Sequence, residues 1–169
     1  MSGAWIRGAL AAAFLLVTAV ASMAVRDNER VLAEGRIVLA ELAPVDPRSL
    51  MQGDYMALRY AVDAELMANL PRTPAPPPDY AHLVVDDAGR AAFAGTGDET
   101  PSAPNQVAMK IRSRDGGYSI GPNAFFFQEG TADVFAGARW GEFRVDPAGK
   151  ALLTHLRDEN LQRLGEIRR

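Results

Sequence analysis

The chain has no cysteine among its 169 residues, which excludes a disulfide framework, a thiolate metal centre and a cysteine nucleophile. Its two histidines, His82 and His155, stand far apart in sequence, so the close-spaced metal signatures are missing and no metal site is expected. A basic excess is missing too. With 18 Lys+Arg against 21 Asp+Glu, the formal net charge is -3, and nucleic acid is not an expected partner. No internal repeat occurs, and no cofactor is expected. What the chain does have is a 48% hydrophobic content that is unevenly spread.

From Trp5 to Val25 the only charged residue is Arg7, and the stretch from Ala9 to Val25 has none. A helix of about 20 residues at about 1.5 Å each matches the roughly 30 Å hydrocarbon core of a bilayer. Residues 5–25 are therefore expected to contact lipid as a single transmembrane helix. Three readings of this segment compete: an uncleaved anchor, a cleaved signal and a buried helix of a soluble protein. Ala19-Val20-Ala21 and Ser22-Met23-Ala24 offer the small residues a signal peptidase accepts, whereas the apolar run exceeds the usual length of a signal peptide's central region. The length favours an uncleaved anchor. Basic residues flank both ends, Arg7 before the span and Arg26 and Arg30 after it, so charge barely sets orientation. The short N-terminal tail favours the tail on the inner side of the membrane and the domain on the outer side.

The expected organisation is a membrane and juxtamembrane segment over residues 1–30, then one domain over 31–169. Arg26 to Gly35 is charged and suits a continuing helix with Gly35 as its stop. Arg36 to Ala43 is apolar on both alternating faces and reads as a buried strand that Pro44 ends. Val45 to Gln52 reads as a loop. From Asp54 the pattern is β, with Met56, Leu58, Tyr60 and Val62 on one face and Tyr55, Ala57, Arg59 and Ala61 on the other. Residues 69–79 carry five of the eleven prolines and form a semi-rigid connector within the domain, and Gly95 to Asn105 is a second loop.

Hairpins follow. His82 to Val85 and Ala91 to Ala94 flank Asp86-Asp87-Ala88-Gly89, and Val107, Met109 and Ile111 alternate with Ala108, Lys110 and Arg112. Asp115-Gly116-Gly117 closes that strand toward Tyr118 to Ile120, Ala124 to Phe127 is a short aromatic strand, and Val134, Phe135 and Ala138 recur at helical spacing. Phe125 to Phe127 must put one ring on the face opposite the core. Trp140 to Val145 meets Lys150 to Leu156 across Asp146-Pro147-Ala148-Gly149, a type I turn signature. Asp158 is read as the N-cap of a closing helix that carries Leu161, Leu164 and Ile167. The fold class is α+β and mainly β, with about eight strands and two or three short helices after the membrane helix.

The string Gly53-Asp54-Tyr55-Met56-Ala57-Leu58-Arg59-Tyr60 matches the pattern GDYXXLXY at every specified place. Pro44 to Leu50 before it, Phe126 to Gly130 after it and the hairpin from Gly141 to Leu156 are similar to the same family, so the chain resembles the GDYXXLXY family of bacterial proteins along most of its length. The resemblance implies an envelope protein with an N-terminal membrane segment, often encoded near multi-pass membrane proteins, and no established activity. The motif has physical content of its own. Gly53 permits close backbone approach, Asp54 can accept loop amides or pair with Arg48, and alternation puts Leu58 and Tyr60 toward the core. Two roles stand side by side: a structured loop-to-strand corner, and a recognition surface built from Asp46, Arg48, Asp54, Tyr55 and Arg59, because Tyr and Arg are enriched at interface hot spots.

No catalytic set assembles. Pro47 to Asp54 is similar to the second half of a serine-lysine signal peptidase pattern, but its spacing is off by one residue and Val45 lies nearest the nucleophile's place. Ser49 would need Lys110 or Lys150, the only lysines, as its base. The expected function is a non-enzymatic interaction or accessory domain for another, multi-pass membrane protein. The alternatives are a membrane-associated hydrolase or peptidase and a periplasmic ligand-binding module.

Overall fold

The computed structural model describes residues 3–43, 51–52, 55–70, 76–114 and 117–165. It opens with α1, Gly3–Glu34, whose 32 residues extend about 48 Å. Every side chain from Arg7 to Arg30 is exposed, including Phe14, Leu15, Leu16, Val17 and Val20. A soluble helix of this length would bury an apolar stripe against the core. In this one, among the described residues, only Val31, near its end, is buried, and the apolar span covers nothing, which is compatible with a single-pass anchor or a signal sequence.

The helix stops at Gly35, whose N–H still donates to Val31 O at 2.9 Å, while the Arg144 guanidinium donates to Gly35 O at 3.0 Å. Glycine is required there by close approach, because a Cβ would press on the Val31 carbonyl and lie 3.1 Å from Val145 N. The chain passes directly into β1, Arg36–Glu41. No flexible linker separates the apolar helix from the domain.

Beyond β1 come β2 (Met51–Gln52), β3 (Tyr55–Ala57), α2 (Ala61–Asn69), β4 (Tyr80–Val85), β5 (Arg90–Gly97) and β6 (Gln106–Lys110). They are followed by β7 (Arg112–Arg114), β8 (Gly117–Ser119), β9 (Ala124–Phe126), α3 (Ala132–Phe135), β10 (Trp140–Val145) and β11 (Ala151–Arg157). The described residues thus hold eleven strands and three helices in an α+β arrangement. The main sheet has six strands in the order β11-β10-β1-β5-β4-β6, antiparallel except for the β1–β5 pair. Its two edges approach each other: Lys110 N–H donates to Gly149 O at 2.9 Å and Arg112 to Ala151 O at 3.0 Å, so the sheet is curled. Two small sheets, β2-β3-β9 and β7-β8, lie outside it.

The core fills the curl. Val38, Leu83, Met109, Ile120, Phe143 and Leu156 are fully buried, and α2 lays Val62 and Leu66 across β1 and β5. Each such side chain contributes roughly 1.5 to 3 kcal/mol of apolar burial. Two hairpin turns share one device. Asp86 Oδ1 accepts from Ala88 N and Arg90 N, Asp146 Oδ1 accepts from Ala148 N and Lys150 N, and Gly89 and Gly149 take φ of 84° and 76°. A left-handed φ favours glycine, which has no Cβ to clash.

Five sequence expectations need correction. Met51–Gln52 is a strand rather than loop, pairing with β3. The β pattern after Asp54 ends at Ala57, because Ala61–Asn69 is a helix rich in Ala, Glu, Leu and Met, residues that favour helices. The loop set at Gly95 begins only after Gly97, since β5 runs further and shifts register opposite His82. The closing helix does not form over Arg157 to Gly165. Asp158 instead accepts from Asn160 N and Gln162 N, Arg163 bridges back to Arg157, and the segment is a third hairpin turn. Asn69, placed in the proline-rich connector, is the last residue of α2.

Candidate functional site

The motif corner is fixed by backbone before any side chain acts. Leu42 bridges Tyr60, Leu42 N donates to Arg139 O at 2.8 Å, and Ala43 N donates to Arg59 O at 2.9 Å, so the corner closes onto the far end of β1. Leu58 N donates to Asn123 O at 2.7 Å. Alternation then sorts the side chains. Met56, Leu58 and Tyr60 are buried, as the sequence predicts, whereas Tyr55 and Ala57 are half-buried and Arg59 is exposed. Asp46, Arg48, Gly53 and Asp54 lie outside the described residues, and so does Ser49.

Tyr60 is the pivot. Its ring packs on Phe143 at 5.4 Å, its hydroxyl donates to Pro122 O at 3.0 Å, and burial pushes the phenol well above its usual range. One turn into α2, Asp63 accepts from Ser119 Oγ at 2.7 Å and from Ile120 N at 3.1 Å. Burial is the dominant influence on that carboxyl and raises its pKa despite both bonds. Arg114 donates to Gly121 O and stands near enough to Asp63 and Tyr60 to act on their charge. The corner is thus held by a buried tyrosine and a half-buried carboxylate, of which the sequence announces only the first.

The small sheet β2-β3-β9 has two different faces. Inward, Met56 is buried, and Phe125 meets Phe135 at 5.4 Å. Outward, Tyr55 packs against Phe126 at 5.8 Å, and Phe126 stays 75% exposed. That is the ring expected opposite the core. Arg59 stands between two clefts. One is lined by Tyr55, Ala57, Ser113, Arg114 and Asn123, and the other, of about 430 Å³, lies between Met56, Leu58, Arg139 and the turn at Asp158 to Asn160. Trp140, the first residue of β10, is half-buried and lines neither.

Sequence reasoning missed the buried charge beside this corner. Glu142 is wholly buried, and its carboxylate accepts from Arg157 Nε at 2.6 Å and from Arg163 Nη2 at 2.7 Å and Nε at 2.9 Å. Burial works against the ionised form, but the bonds from Arg163 and Arg157 outweigh it and hold the carboxyl below its usual range. His155 Nδ1 lies 3.8 Å from the same carboxylate. A register shift between Glu142 and Phe143 turns Glu142 out of simple alternation, which is why a charged residue beside Gly141 and Phe143 reads as surface. The cluster pins the last hairpin turn, where Leu161 takes φ of 61° at the place that Gly89 and Gly149 fill in the other two. A left-handed non-glycine residue costs roughly 1 to 2 kcal/mol.

Among the described residues no group of three His, Asp or Glu side chains converges as a metal site. His82 Nε2 lies 2.8 Å from Glu99 O, a hydrogen bond within its own hairpin region.

Comparison with known proteins gives one positive finding, a match of the family model described as GDYXXLXY protein to residues 17–156. Neither a curated protein nor a solved structure matches the chain significantly. The matched stretch begins inside α1 and ends in β11, and so takes in the motif corner, both small-sheet faces and Glu142. With most of its length covered, the chain belongs to the GDYXXLXY family.

Proposed function

We propose that this protein is a membrane-tethered, non-enzymatic accessory domain that associates with another integral membrane protein in the bacterial inner membrane, with its domain on the outer side. The observation that carries this reading is α1, which is uncharged on all sides from Gly8 to Val25, exposed from Arg7 to Arg30, and locked through Gly35 into β1 and β10. A helix joined so directly gives the domain a fixed attitude to the bilayer, which suits docking on a neighbour in the same membrane. The motif supports the same reading, because its buried members build a rigid corner while Tyr55, Arg59 and Phe126 face outward.

The test is purification of the full-length protein from mild detergent with an N-terminal tag, read by mass spectrometry. Reproducible recovery of one multi-pass protein supports the reading, and recovery of the chain alone overturns it. Sidedness is checked with Ser102→Cys, a unique thiol in a cysteine-free chain. Labelling by a membrane-impermeant maleimide in intact spheroplasts is expected, and labelling only after lysis contradicts the outer placement.

One observation favours a second reading, a ligand-binding module. The cleft of about 430 Å³ beside Arg59 and Arg139 falls in the size range of small-molecule sites. Ligand-dependent melting shifts that disappear in Arg139→Ala would establish it.

A further inference from the structure

The outward face of β3 and β9 combines three features that arise separately. Phe126 and Tyr55 form an aromatic pair in which Phe126 is largely exposed and Tyr55 half-buried. β9 is an edge strand of its sheet, and an edge with an exposed apolar ring is a place where an extended segment can pair. The adjoining cleft carries Arg59 and Arg114, and none of its described lining residues is acidic, although the whole chain has a net charge of -3. Asp63, a carboxylate whose charge Arg114 influences, accepts from Ser119 Oγ and Ile120 N.

The height of this face above the membrane follows from topology. The turn at Asp146 to Ala148 shares a cleft with Asp27, Arg30, Val31 and Glu34, so the end of β10 points back along α1 toward the bilayer. β1 is antiparallel to β10 and therefore leads away from it. Its six residues place the motif corner roughly 20 Å beyond the end of the helix.

Resting on the accessory-domain reading above, we infer that the Tyr55–Phe126 face binds an extended acidic segment of the partner that lies outside the membrane, laid along β9 with its carboxylates toward Arg59 and Arg114. Opposite charge at the rim steers and registers such a segment, and the aromatic pair gives it an apolar footing.

The experiment places a photo-crosslinking amino acid at Phe126, at Leu32 and at Leu16 of the full-length protein in native membranes, and identifies the captured peptide by mass spectrometry. The expected result is capture at position 126 of an acidic peptide from an extramembrane part of another protein. Arg59→Glu should reduce that yield about tenfold and Arg59→Lys should largely restore it, with melting unchanged. Capture only at Leu32 or Leu16 overturns this inference and leaves the accessory reading standing. Capture of a second copy of the chain, of a membrane-embedded peptide, or of an acidic peptide insensitive to Arg59→Glu also overturns it. No reproducible product at any position overturns both.

Discussion

The two ends of β1 are built on different terms. At the end nearest α1, groups are satisfied by the backbone and by ordinary turns: Gly35 closes the helix, Arg144 caps its carbonyl, and Asp146 and Gly149 form an unstrained hairpin. At the far end the main sheet carries a wholly buried carboxylate between two arginines, next to it a turn holds a leucine with left-handed φ, and the small sheet there shows an exposed phenylalanine. Buried charge, backbone strain and an exposed ring are found together near the family motif. Proteins keep strain and exposed apolar surface where surrounding structure fixes them and recognition uses them. On the proposed reading, the near end sets position and the far end is the surface offered to a partner.

Removing the charge that holds the far end should have the largest effect. Glu142→Gln leaves Arg157 and Arg163 facing each other without a carboxylate, and a loss of about 3 to 5 kcal/mol is expected in urea unfolding of the detergent-solubilised protein. A loss under about 1 kcal/mol would show that the cluster is dispensable. The pH dependence has a definite sign. Because the folded pKa of Glu142 is lowered, its contribution is present above the ordinary carboxylate range and is lost as pH falls through the folded value. Asp63, whose pKa is raised, acts in the opposite sense, its penalty growing as pH rises from the ordinary value through the folded one. Acid sensitivity that disappears in Glu142→Gln and persists in Asp63→Asn is the expected pattern.

At the near end, Gly35→Ala should cost about 1 to 3 kcal/mol, since its Cβ meets the Val31 carbonyl and the β10 backbone. Undiminished stability there would mean that the helix and domain are not rigidly joined. Smaller still, Leu161→Gly relieves the one left-handed non-glycine residue among those described and should raise stability by up to about 1 kcal/mol. Phe126→Ser, at 75% exposure, should change stability by less than about 0.5 kcal/mol while abolishing partner capture. A large loss of stability would make that ring structural and erase the contrast between the ends.

Much of the near end was legible in the sequence, because each of its devices is local. Glycine after a charged helical run marked the stop, and Asp-x-x-Gly between two β patterns marked the Asp86 and Asp146 turns. The motif's inner face was legible too, since Leu58 and Tyr60 alternate with Arg59 and are buried as expected. What failed at the far end failed for long-range reasons. The spacing of Met56 to Val62 continues across a change from strand to helix, so alternation in burial survives while the backbone does not stay extended. Leu161 and Leu164 stand at helical spacing, yet the Glu142 carboxylate, 21 positions before Arg163, draws the segment into a hairpin. No local pattern reports a bond of that span.

The account rests on the two ends lying at different heights above a bilayer. A single fluorophore on Ala148→Cys or Phe126→Cys, each the only thiol in its chain, can be read against headgroup-labelled acceptor lipids after reconstitution into vesicles. The account expects strong energy transfer from position 148 and weak transfer from position 126. Equal transfer from the two, stronger transfer from 126, or none from either would contradict it.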